Sequence, residues 1–157
     1  MKTKMGINKD LRSKVAFELS TLLADEFILY TKTRNAHWNA EGPDFYSMHK
    51  FFEDQYTLLD EVIDDVAERV RALGHYAPAS LAQFIKLTRL SEQSREKNDS
   101  LGFMRELLLD HNAIISACRE NTKTFMDEYD DAGSSDFVIG LLEKHEKMAW
   151  MLRSHLT

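Results

Sequence analysis

The stretch from Asp44 to Gly74 reads DFYSMHKFFEDQYTLLDEVIDDVAERVRALG, and its periodicity decides the fold. At about 100° per residue, Met48, Phe52, Leu59, Ile63, Val66 and Val70 gather on one face, the signature of an amphipathic helix. The helix is predicted over Asp44 to Leu73, with Gly74 as its C-terminal stop. Beside the apolar face runs a row of ligand-type side chains. With His49 set at zero, Glu53 falls near about 40°, Asp60 near 20°, Asp64 near 60° and Glu68 near 100°. Lys50 is the one cation on this helix placed to neutralise the row. Carboxylates so close raise one another's pKa unless a cation joins them. The row is therefore either a solvated acidic face or a metal site.

The same periodicity extends outward. Leu11, Val15, Leu19, Leu22, Leu23, Phe27 and Tyr30 predict a first helix from Leu11 to about Asn35, ended by Asn39-Ala40-Glu41-Gly42-Pro43. After Gly74 comes an irregular stretch, His75 to about Lys97, with a short helix expected over Ser80 to Leu87. A third long helix follows from about Asp99 to Tyr129. Ser134 or Ser135 is expected to cap a fourth that continues to about His155. With six Gly and two Pro in 157 residues, the chain has few breakers and should form one domain, residues 1–157, with 1–10 a short polar tail. Four long helices with one long central connection make an all-α, ferritin-like four-helix bundle, with a short extra helix between the second and third long helices.

Helix length dictates how the ligand row can be used. His49 and Glu53 are one turn apart, as are Asp64 and Glu68, but His49 and Asp64 are separated by roughly 22 Å of helix axis. No single ion spans that distance. His37 and His49 flank Pro43 symmetrically, so a tight reversal brings these two histidines together at one end of the bundle. One chain then carries two half-sites: His37, His49 and Glu53 in one, Asp64 and Glu68 in the other. Two chains packed with these helices antiparallel would complete two identical sites about a two-fold axis. Imidazole and carboxylate ligands suit Fe(II), with Zn(II) as a substitute. No Glu-x-x-His motif occurs, which disfavours a diiron centre built within one bundle.

The formal net charge of -6 argues against a general polyanion binder and suits a handler of cations. Cys118 is the single cysteine, read as a small buried hydrophobe in a reducing compartment. Neither a secretory leader nor a membrane-spanning run is visible, so the expected location is the cytoplasm.

The segment His37-Trp38-Asn39-Ala40-Glu41-Gly42-Pro43, followed by Met48-His49 and Glu53, resembles the signature of Dps-type miniferritins, the DNA-binding proteins from starved cells. So do Asp64-Asp65-Val66-Ala67-Glu68-Arg69 with Leu73-Gly74, and the ending His145-Glu146-Lys147-Met148-Ala149-Trp150-Met151-Leu152-Arg153. The resemblance covers almost the whole chain. It implies a cage of twelve subunits whose ferroxidase centres lie at two-fold interfaces, with His37, His49 and Glu53 from one chain and Asp64 and Glu68 from the next. It also implies iron oxidation by hydrogen peroxide or, more slowly, dioxygen, and storage of ferric mineral. Glu53 stands where the family often has Asp, and Ala40 where a larger aliphatic is common.

Trp38 is, by the same resemblance, either an electron donor or radical sink, or an aromatic packed at an interface. Acids around the start of the last helix, Asp127, Asp131 and Asp136, match positions that line three-fold iron-entry pores in similar proteins. Asp136 also fits as a first-turn acid favoured by the helix dipole, and for Asp131 a merely local role leads. Lys2, Lys4, Lys9, Arg12 and Lys14 form a short basic N-terminus. DNA binding and compaction, with nucleoid association, is the alternative function, less favoured because the tail is brief and the chain acidic. His75, His111, His145 and His155 lack partners at ligand spacing and read as surface or packing histidines. Asp60 and Glu61 read as surface acids, with Asp60 placed to help guide iron inward.

Overall fold

The computed structural model describes residues 5–92 and 95–157; Lys2 and Lys4 of the basic N-terminus lie outside them. The chain forms α1 (Lys9–Asn39), α2 (Phe45–Ala72), α3 (Leu81–Leu87), α4 (Ser100–Asp127) and α5 (Ala132–Ser154). Among the described residues there is no strand, and Glu41 makes a lone bridge to Asp99. α1 packs along α2 and α4 along α5, while α1 also lies against α3 and α4. Two helical hairpins are thus joined by one long connection, as the sequence predicts.

Each helix is fastened at its ends by local chemistry. The Asn8 carboxamide accepts from the Asp10 and Leu11 N–H groups, Ser80 from Gln83, and Asp99 from Gly102. Gly74, at φ 81°, ends α2 in a conformation that only glycine adopts without strain. Two boundaries differ from expectation. α1 runs four residues past Asn35, through Asn39, because the Asn39 amide bonds the Asn35 side chain at 2.6 Å and nothing breaks the helix before Gly42 and Pro43. α5 is capped by Asp131 rather than Ser134 or Ser135. The Asp131 carboxylate accepts from the Ser134 N–H at 2.9 Å and its hydroxyl at 2.6 Å, while the Ser135 hydroxyl turns away to the Thr122 carbonyl.

The core is built where the apolar stripes meet: Leu19, Leu22 and Leu29 of α1, Phe52 and Leu59 of α2, and Ile114 of α4 are all fully buried. Truncating Phe52 to Ala would cost about 3–5 kcal/mol. A buried carboxylate anchors the long connection. Asp25 accepts from the Thr88 hydroxyl at 2.8 Å, the Arg89 backbone N–H at 2.7 Å and Arg89 Nε at 2.8 Å. Cys118 is fully buried, and burial first, then the charge of Glu26, pushes its thiol up to about 12. No helix is long and apolar enough to cross a membrane, among the described residues.

Candidate metal centre

The α1–α2 reversal brings His37 and His49 face to face, their rings stacked with centroids 3.8 Å apart and 21° between planes. The contact is reciprocal. His37 Nδ1 lies 2.7 Å from the His49 carbonyl, and His49 Nδ1 lies 2.8 Å from the His37 carbonyl. A carbonyl oxygen only accepts, so each Nδ1 carries the hydrogen, and in the neutral ring it is Nε2 that keeps the lone pair. That tautomer is the one a metal-binding imidazole needs, with the second nitrogen donating to a carbonyl and fixing the ring. The donor set thus fits a divalent transition metal.

Glu53, one turn beyond His49, is engaged by Lys50 Nζ at 2.7 Å. The hydrogen bond and charge of Lys50, followed by the two histidines, hold its carboxyl below the usual range, and the carboxylate in turn raises Lys50. Asp64 and Glu68 are exposed further along α2, and neither makes an ion pair or side-chain hydrogen bond among the described residues. Fifteen residues of unbroken helix separate His49 from Asp64, so the half-sites stay apart by roughly 22 Å. No three His, Cys, Asp or Glu side chains converge within the chain to hold a metal, among the described residues. Whatever these groups bind, one chain presents them as two separate sets.

Trp38 is 63% exposed beside the histidine pair, with the Arg34 guanidinium 5.0 Å from its ring centroid. Tyr56, which the spacing argument passed over, sets its ring edge against His37 with centroids 5.1 Å apart. Its position on α2, one turn past Glu53 and facing α1, was a signal available in the sequence. Of the three acids near the last helix, Asp127 and Asp136 are exposed, whereas Asp131 is buried as the α5 cap, with Arg69 3.6 Å away.

The remaining histidines divide. His111 and His145 are fully buried inside the bundle, where His111 Nδ1 meets His145 Nδ1 at 3.0 Å and His145 Nε2 meets Glu26 Oε1 at 2.8 Å. They are packing histidines, satisfied by each other across α4 and α5. His155 is exposed and sets its ring against Phe51, and His75 is partly buried.

Comparison with known proteins gives the class of the chain. The ferritin-like domain family matches residues 18–157, which defines the class. An uncharacterised low temperature-induced protein of Nostoc sp. is 39% identical over 152 residues, 97% of this chain and 85% of the relative. The DNA protection during starvation protein of Helicobacter pylori is 35% identical over 138 residues, 88% of this chain and 95% of the relative. The Dps protein of Vibrio cholerae O1 has a crystal structure described as a member of a broad superfamily of ferritin-like diiron-carboxylate proteins. It superposes with a TM-score of 0.91 at 28% identity, covering 99% of this chain and all of that one. The chain belongs to the Dps family of ferritin-like proteins.

Proposed function

We propose that this protein is a ferroxidase and iron-storage miniferritin whose oxidation sites are shared between subunits. The observation that carries the reading is the reciprocal His37–His49 pair. Its two bare Nε2 atoms are preorganised for a metal, yet its carboxylate complement, Asp64 and Glu68, lies two-thirds of a helix away on the same rod. A second copy with α2 antiparallel supplies the missing acids. Fe(II) is then the substrate: two ions give up two electrons to one hydrogen peroxide, which takes two protons and leaves as two waters. The carboxylates favour the ferric product because hard anionic oxygens bind the higher charge better. Zn(II), which does not oxidise, would occupy the same ligands as an inhibitor.

Ferric product would pass into a cavity enclosed by twelve chains, with Asp127 and Asp136 as acids for cation entry and Asp131 confined to capping. The formal charge of -6 favours protection of nucleic acid through removal of iron and peroxide over direct coating of DNA. Direct binding remains the second reading, prompted by the name of the Helicobacter pylori relative. It predicts salt-sensitive DNA retardation that disappears when residues 1–10 are deleted.

The reading is tested by stopped-flow Fe(II) oxidation with peroxide. His49→Ala combined with Asp64→Ala should lower the initial rate by at least about tenfold while the assembly persists. Oxidation at the wild-type rate in that variant would refute it.

A further inference from the structure

The chain carries 26 acidic side chains, yet Arg34 makes no ion pair among the described residues. Its guanidinium is seated on rings instead. It lies 4.3 Å from the Tyr56 centroid, 5.0 Å from Trp38 and 5.6 Å from Tyr30, and its Nη1 donates to Tyr30 Oη at 3.2 Å. Tyr30, Arg34 and Trp38 are successive turns of one α1 stripe, and Tyr56 comes from α2. Cation–π attraction of this kind is directional, because the charge must sit over the ring face.

We propose that Arg34 is a positioning residue for the metal-binding histidines, acting through Tyr56 on His37; the inference rests on the metal-centre reading above. His37 has two constraints of its own, the Nδ1 bond to the His49 carbonyl and the stack on the His49 ring. A third comes from Tyr56, whose ring stands at 79° to the imidazole and blocks its rotation on that side. Tyr56 is itself only partly buried, and besides His37 its ring meets Tyr30 edge to face, with centroids 6.1 Å apart. The guanidinium over its face adds the closer restraint, and the bond to Tyr30 Oη holds the guanidinium. The direction in which His37 Nε2 points is thus set by a chain of contacts from Tyr30 through Arg34 and Tyr56.

The alternative role for a cation here is electrostatic, and it has the opposite sign. A positive charge near the site repels an incoming metal ion, so its removal would tighten binding. The planar fork of arginine also differs from the point charge of lysine, which separates shape from charge.

The test is titration of the assembled protein with Co(II), whose visible absorption reports ligand geometry as well as affinity. Arg34→Met keeps the apolar stem and loses the plane, and it should weaken Co(II) binding on the order of tenfold and shift the bands. Arg34→Lys should fail to rescue, and Tyr56→Leu should reproduce the loss with Arg34 still present. Unchanged or tighter binding in Arg34→Met, or recovery in Arg34→Lys, would overturn the positioning role. If Arg34→Met does not assemble, wild-type affinity in Tyr56→Leu overturns it equally. Were wild type and His49→Ala alike to bind no Co(II), the metal-centre reading itself would fall, and this inference with it.

Discussion

On the proposed reading, Glu53 would serve two cations with one carboxylate. Lys50 already lies 2.7 Å from Oε2, and a metal bound by the neighbouring imidazoles would compete with it for the carboxylate's charge. Both partners are substantially exposed, so their bond is screened and weak. Lys50→Met should therefore strengthen Co(II) or Zn(II) binding by about two- to fivefold at low ionic strength, with the gain shrinking in high salt. Isothermal titration at two salt concentrations checks this, and an unchanged affinity would mean that Glu53 does not ligate. The place of Glu53, one turn from His49, was legible in the sequence. Its partner was legible too, since Lys50 is the one cation beside the row. What spacing could not supply was the reciprocal bonding of His37 and His49, which depends on where the reversal ends. A first helix stopped at Asn35 would have left His37 in a loop.

Between elements, the largest surprise is the polar chain inside the bundle. Glu26 of α1, His145 of α5 and His111 of α4 are fully buried and linked end to end, fastening one hairpin to the other. With Glu26 as a carboxylate, His145 Nε2 carries a hydrogen to donate, its Nδ1 accepts, and His111 Nδ1 donates. A further proton on both rings would set two N–H groups against each other at 3.0 Å. Desolvation first, then His145, holds His111 well below the ordinary histidine range. The native state thus refuses a proton that the unfolded chain takes up below about pH 6.5. This contribution is intact above that pH and erodes beneath it, by up to about 2 kcal/mol at pH 5. His111→Asn, whose amide can still donate to His145, should flatten the fall in Tm between pH 7 and pH 5; an equally steep fall would assign the acid sensitivity elsewhere. Sequence could not disclose this chain, because 119 residues separate His145 from Glu26. The helices carrying it were readable from periodicity. The α5 cap was misplaced because Asp131 and the two serines all favour a cap by type, and only Asp131 has its carboxylate turned to the Ser134 N–H.

For the whole molecule, the decisive fact is the length of α2, 28 residues of helix with imidazole and carboxylate groups spread over both halves. On the reading proposed above, such a rod would be used between copies. Thiol chemistry has no part in it: Cys118, buried with its thiol pushed up to about 12, should resist a disulfide-exchange reagent in the native assembly and react promptly after unfolding. Rapid native labelling would show that the bundle opens around it. Sharing of the site is best tested by complementation. One variant loses its imidazole half through His37→Ala and His49→Ala, the other its acid half through Asp64→Ala and Glu68→Ala. Each alone should oxidise Fe(II) slowly. When the two are unfolded together and reassembled in equal amounts, mixed pairs rebuild one intact site from complementary halves, restoring about a quarter of the wild-type sites. Activity no higher in the mixture than in the separate variants would contradict a centre divided between subunits.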